Sequence, residues 1–137
     1  MAGRVAITKT IGFVFGGVLF FLLPALGADF GTLFGLGLWL LYMLMAVMIG
    51  MMGMFKRHPI LNFPVNFWIR GGIAGFLFHL LLILLAYSQV ESILTLEAFA
   101  WTGFTSPWWI LVDGVIYGII IGWFATKFAG EGDLPIR

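Results

Sequence analysis

Residues 32–55 read TLFGLGLWLLYMLMAVMIGMMGMF, a run that contains no charged side chain. About 20 predominantly apolar residues are enough for an α-helix to cross the roughly 30 Å hydrocarbon core of a bilayer. A helix that is apolar on all sides must be buried, either in a large protein or in a membrane. The chain has only 137 residues, so this stretch predicts a transmembrane helix.

Three further segments have the same character, and the whole composition agrees with them. Hydrophobic residues make up 62% of the chain and charged residues 9%. A small soluble domain exposes too much of its surface to hide that much apolar area. We therefore predict an all-α membrane protein, a single domain over residues 1–137, with four transmembrane helices in an antiparallel bundle. The predicted spans are residues 10–28, 32–55, 67–87 and 107–128.

The first span has a competing interpretation as a secretory signal peptide. Arg4 and Lys9 precede the apolar run, and residues 25–27 (Ala-Leu-Gly) resemble a small-residue cleavage site. The apolar run from Ile11 to Ala28 is longer than the usual core of a signal peptide. Its length favours a span.

The connection between the third and fourth spans, residues 88–106, is not a simple loop. Apolar residues recur there at helical spacing, with polar residues between them: Val90, Ile93, Leu94, Ala98 and Trp101. This pattern predicts a short amphipathic helix that lies in the membrane interface before the last span.

Basic residues predict the orientation of the chain. With four spans, every Lys and Arg falls on or next to one side: Arg4, Lys9, Lys56, Arg57, Arg70, Lys127 and Arg137. The other side holds Asp29, Glu91 and Glu97. Cytoplasmic loops carry the excess of Lys and Arg, so we predict the cytoplasmic (inner) membrane of a prokaryote, with both termini inside.

Glycines recur at intervals of four in the third and fourth spans. They are Gly71 and Gly75 on the third and Gly114, Gly118 and Gly122 on the fourth. Small residues at this spacing allow helix backbones to approach closely, and such packing drives association in lipid. We predict that these glycines pack the helices together. Three on one helix are more than a single contact needs, which leaves the remainder for self-association.

Apart from Lys127 at the cytoplasmic end of the fourth span, three charged or imidazole side chains lie inside the predicted spans: Arg70, His79 and Asp113. Arg70 is one turn from the cytoplasmic end, where its side chain can extend to the lipid headgroups. His79 lies about 18 Å from the cytoplasmic side and Asp113 about 9 Å from the outer side, at 1.5 Å per residue. The two therefore reach nearly the same depth.

Two interpretations of His79 and Asp113 stay open. An ionised aspartate inside a span costs about 2.5–3.5 kcal/mol, and pairing with histidine offsets part of that cost. One interpretation is a pair that handles protons or cations. The other is a structural hydrogen bond that joins the third helix to the fourth, together with Tyr117 one turn below Asp113.

Metal and cofactor sites have weak support. Met48 and Met52 form an M-x-x-x-M pair whose spacing resembles that of high-affinity copper uptake channels, but the resemblance covers a handful of residues. An adaptable packing surface is the favoured interpretation of the methionines. His79 is a conceivable axial haem ligand, with Gly75 leaving room for the macrocycle. We predict no cofactor.

The remaining functional predictions follow from what the chain lacks. It has no cysteine and no Gly-rich phosphate loop, and its net charge of +1 offers nothing to nucleic acid. We predict a non-enzymatic subunit of a membrane assembly, in contact with the lipid bilayer and with itself or other membrane proteins. The alternative is a small homo-oligomeric transporter or channel that uses the His79/Asp113 pair for protons or cations.

Overall fold

Four long apolar helices form most of the chain. The computed structural model describes residues 2–53, 55, 57 and 60–130, and in that part each of the four is long and apolar enough to span a membrane. They are α1 (Ala2–Ala25), α2 (Gly31–Met52), α3 (Phe67–Leu94) and α4 (Ile110–Ala129). Short 3-10 helices at Glu97–Thr102 and Pro107–Trp109 connect α3 to α4. The predicted all-helical chain with four helices of membrane-spanning length is confirmed.

Two helices extend beyond the predicted spans. α1 begins at Ala2 rather than near residue 10. Arg4, in its first turn, is buried against the rest of the protein, so this turn belongs to the packed helix. α3 continues to Leu94 instead of ending near residue 87, with a kink at Ala86, whose φ of −140° and ψ of 43° are not helical. The helical spacing of residues 90–94 therefore belongs to the end of α3. The position of residues 97–102 at a membrane surface stays a prediction.

α1 packs closely against α2 through its glycines. A Cβ added at Gly12 would lie 2.6 Å from the Cβ of Ala46, and one added at Gly16 would lie 2.6 Å from Cδ1 of Trp39. The Trp39 indole N–H also donates to the carbonyl oxygen of Phe13 at 2.8 Å. As residue numbers rise along α1, those of the contacted residues on α2 fall, which is the order of an antiparallel pair.

α3 packs against α4 even more closely, backbone to backbone. Gly71 faces the carbonyl of Gly118, and Gly75 faces the carbonyl of Gly114, so these two helices also run in opposite directions. Gly122 faces the carbonyl at the start of α3, where an added Cβ would come within 2.9 Å. All three glycines of α4 thus contact α3. No glycine among these three is therefore left over for the self-association that we expected.

Larger side chains fill the space between the two helix pairs. Tyr42, Met45 and Ile49 of α2 and Ile121 of α4 are buried in one core. Most helix–helix contacts lie within the α1/α2 and α3/α4 pairs, and fewer join one pair to the other. The fold therefore consists of two glycine-packed pairs with a looser seam between them.

Candidate functional site

His79 of α3 is fully buried, and glycines make the space for its ring. A Cβ at Gly114 would lie 2.5 Å from the imidazole Cγ and Nδ1, so a side chain on α4 at this position would exclude the ring. The imidazole Nδ1 lies 2.9 Å from the carbonyl oxygen of Gly75. A carbonyl only accepts hydrogen bonds, so the network assigns a proton to Nδ1.

Tyr42 of α2 meets the other ring nitrogen of His79. Its hydroxyl lies 3.0 Å from Nε2. With the proton of the neutral ring on Nδ1, Nε2 is an acceptor and the Tyr42 hydroxyl donates to it. When the imidazole is protonated, both nitrogens donate, and Nε2–H then needs an acceptor. Neutral His79 therefore accepts a hydrogen bond from Tyr42 at Nε2, whereas protonated His79 has to donate one from the same atom.

Asp113 of α4 provides the nearest carboxylate. Its Oδ2 lies 3.6 Å from His79 Nε2, which is within the range of an ion pair but too long for a hydrogen bond. The depth calculation thus placed the two residues together correctly. In this arrangement, however, Tyr42 rather than Asp113 makes the hydrogen bond that joins another helix to His79.

An apolar cavity leads to the carboxylate. It has a volume of about 320 Å³ and lies at the end of the molecule where α1 ends and α2 begins. We call it the aspartate cavity, since Asp113 is the single charged residue among its described lining residues. The Asp113 side chain is 62% exposed. The lining includes Phe15, Phe34, Leu38, Tyr42, Leu82 and Phe99.

Tyr117, one turn below Asp113, has a different role from the predicted one. Its ring packs against those of Phe15 and Tyr42, with centroids 4.8 and 5.1 Å away. Its hydroxyl is buried and has no hydrogen-bond partner among the described residues, so the predicted bond with Asp113 is not formed. The reason is geometric: the aromatic contacts direct the ring into the seam.

The half of the core beyond Tyr117 is closed. Met45 and Ile121 are completely buried, and Ile49 is 1% exposed. The aspartate cavity therefore reaches Asp113 from the end of the molecule where α1 ends, whereas His79 is fully buried and is not among its described lining residues.

Arg70 was expected to extend to the headgroups, and this prediction is wrong. Its side chain is buried, 3% exposed, and its Nη1 donates to the carbonyl oxygen of Phe55, just after α2. The chain that follows α2 offers an acceptor within the protein. The guanidinium therefore stays inside instead of crossing to phosphate groups.

Arg4 has a structural role in addition to the orientation signal that its charge provides. It is 3% exposed; its Nε donates to the carbonyl oxygen of Gly50 at 3.1 Å and its Nη1 to that of Gly130 at 2.6 Å. The guanidinium lies where a side chain at Gly53 would stand. Gly53, just after α2, is the trace of this contact in the sequence, whereas a Cβ at Gly50 would meet Thr8 of α1.

The metal and haem hypotheses gain no support from these positions. Met48 is 44% exposed, while Met45 is fully buried, and neither Met48 nor Met52 lines the aspartate cavity. The space beside Gly75 is taken by the Gly114 backbone, and both nitrogens of His79 are engaged. A macrocycle has no room there. His58, the second histidine, lies outside the described residues.

Comparison of the chain with protein-family models, with curated proteins and with solved structures finds no match. The geometry of the site therefore carries the functional inference.

Proposed function

We propose that α1–α4 cross the cytoplasmic membrane of a prokaryote as an antiparallel bundle, with both termini inside. The basic residues support this orientation, and Arg4 ties the start of α1 to the end of α4. Asp29 and Ser92 border one surface depression at the other end. Trp101, 85% exposed, suits the outer interface, where tryptophan is enriched. In this orientation the aspartate cavity opens outward.

Within that membrane, we propose that the protein is a small non-enzymatic transporter that handles protons or cations at His79 and Asp113. The observation that carries this proposal is an exposed carboxylate at the end of an apolar cavity, 3.6 Å from the imidazole. An intramembrane carboxylate is costly and is usually functional. Asp113 makes no hydrogen bond to His79, and an imidazole that is neutral in its hydrogen-bond arrangement offsets little of the cost of the carboxylate, so a purely structural role does not account for its position.

The closed inner half favours a transporter over a channel. Asp113 is reached from the outer side, and the buried core beyond Tyr117 separates it from the cytoplasm. In many transporters one helical unit moves against another around a site near the bilayer midplane. Here the two glycine-packed pairs are suitable units, and the site residues come from both sides of their seam.

The test is proton movement in liposomes that contain the purified protein and a pH-sensitive dye. We expect the wild-type protein to dissipate an imposed pH gradient. Asp113→Asn should abolish the response, because the amide cannot change charge, while the fold is kept. Asp29→Asn, an exposed carboxylate outside the aspartate cavity, is the matched control and should respond as wild type. Silence of the wild-type protein would contradict proton movement, and silence also in an uptake assay with a labelled monovalent cation in the same liposomes would contradict the proposal.

The second candidate is a non-enzymatic subunit of a membrane assembly, and the exposed face of α2 favours it. This face exposes Gly37, with no atom within 4 Å of an added Cβ, together with Met48 and Met51. A small residue and, three turns further along the same face, flexible methionines suit a neighbouring helix. If this face docks, Gly37→Leu should lower the mass of the particle in gentle detergent without affecting thermal stability. An unchanged mass would remove the face from consideration.

A further inference from the structure

The aspartate cavity has the size and lining of a small-molecule site. Its volume of about 320 Å³ lies at the lower end of the range for ligand pockets, roughly 300–1,000 Å³. Such pockets are mostly apolar with a few polar groups that fix the ligand's orientation. The polar groups here are Asp113, Tyr42 and Thr102, and the rest of the lining is aliphatic or aromatic, apart from the backbone.

Charge decides which kind of ligand fits. Among the described lining residues the carboxylate of Asp113 has no basic counterpart. Arg4 and Arg70 donate hydrogen bonds to backbone carbonyls at the other end of the helices, and Arg4 also donates to the Thr126 hydroxyl. An anionic headgroup would be repelled, and a neutral acyl chain would leave the carboxylate beside the His79 imidazole alone, which is 3.6 Å away and neutral in the hydrogen-bond arrangement described above. A cationic group on the ligand supplies a full positive charge beside Asp113, which the neutral imidazole does not.

The walls favour an organic cation over a metal ion. Phe15, Phe34, Phe99 and Trp109 present aromatic rings to the cavity, and aromatic faces attract ammonium groups. Divalent cations such as Ca²⁺ need six or more oxygen ligands. No group of three or more His, Cys, Asp or Glu residues occurs in the described part of the chain.

We propose that the aspartate cavity binds a hydrophobic organic monocation, with its ammonium group beside Asp113 and its apolar body among the aromatic walls. This inference rests on the proposed transport role of the same site and names its class of substrate. The apolar body allows the ligand to partition into the bilayer, and the cavity then selects for charge.

The experiment compares two ligands of the same shape, benzyltrimethylammonium and its uncharged carbon isostere neopentylbenzene. Each is titrated calorimetrically into the purified full chain in detergent, with subtraction of the heat of partition into empty micelles. We expect the cation to bind at least about tenfold more tightly than the isostere, a difference of roughly 1.4 kcal/mol. Asp113→Asn should remove this preference, and Asp29→Asn should keep it.

Equal affinity of the two ligands for the wild-type protein would overturn the proposal, and the cavity would then be an apolar lipid crevice. So would a preference that survives Asp113→Asn, since the charge would be recognised elsewhere. Circular dichroism of each variant checks that the fold is kept, and the exposed position of Asp113 makes the asparagine change mild. Binding is measured without a membrane gradient. A protein that binds the cation but moves nothing in liposomes refutes the transport role alone.

Discussion

Gly71 and Gly72 are neighbours in α3 and both are buried, yet alanine should affect them in opposite ways. A Cβ at Gly71 would meet the carbonyl oxygen of Gly118, which belongs to the backbone of α4. A Cβ at Gly72 would lie 3.6 Å from side-chain carbons of Val115 and Ile119. The second contact is ordinary van der Waals packing, whereas the first requires the two helices to separate.

The size of the difference follows from two opposing effects. Replacing glycine by alanine inside a helix gains about 1 kcal/mol in helix propensity. Gly72→Ala should receive this gain and leave the protein equally stable or about 1 kcal/mol more stable. Gly71→Ala should lose about 1–3 kcal/mol to overpacking, at the upper end because backbone opposes backbone. We expect a difference of about 2–3 kcal/mol between the two variants.

The assay is unfolding in mixed micelles with increasing dodecyl sulfate, followed by far-ultraviolet circular dichroism. The wild-type protein and both variants are compared at the same lipid-to-detergent ratio. Gly72→Ala is the matched control, since it makes the same chemical change one residue away. If Gly71→Ala unfolds at the same dodecyl sulfate fraction as Gly72→Ala, α3 and α4 do not touch at this point.

Two other predictions test the ends of the bundle. A cysteine introduced at Asn62 should be shielded from an impermeant thiol reagent in intact cells, and one at Ser92 should be labelled; the reverse pattern would invert the topology. Arg4→Lys should lower the free energy of unfolding by about 1.5–3 kcal/mol, because an ammonium cannot reach the acceptors that the guanidinium joins. Lys9→Ala, at an exposed position on the same helix, should have little effect, and equal stability of the two variants would mean that Arg4 is not buried.

The four long apolar helices were predictable from the sequence, but their ends were not. Length and hydropathy locate a membrane-crossing helix because the bilayer sets both. The start of α1 depends instead on where Arg4 finds its acceptors, and these lie on α2 and after α4. Arg70 was mispredicted for the same reason, since headgroup contact assumes an isolated helix. A basic residue near a helix end can contact either the lipid headgroups or acceptors inside the protein, and only the tertiary structure decides between the two.

The candidate site was predictable in depth but not in its partners. Counting residues placed His79 and Asp113 at the same level because the helical rise is fixed. The hydrogen bond from Tyr42 to His79 depends on the rotation of α2 about its axis and on the glycine at position 114 that admits the ring. The aspartate cavity is lined by residues from all four helices and from the connection before α4. A local sequence pattern cannot predict a cavity that forms between so many separate segments.

Under the proposed transport function, the arrangement of the two helix pairs offers the site a means of switching. Tyr42 belongs to the α1/α2 pair, whereas His79 and Asp113 belong to the α3/α4 pair, whose glycines hold their backbones in direct contact. Movement at the seam would therefore stretch the 3.0 Å contact between Tyr42 and His79 but preserve the approach of His79 to Asp113. Without the tyrosine hydroxyl, Nε2 loses its donor, and a protonated imidazole facing the carboxylate becomes the better-satisfied state. On this argument, motion between the pairs and the charge of the site are coupled through one hydrogen bond, which is what a transporter requires and a static structural link does not.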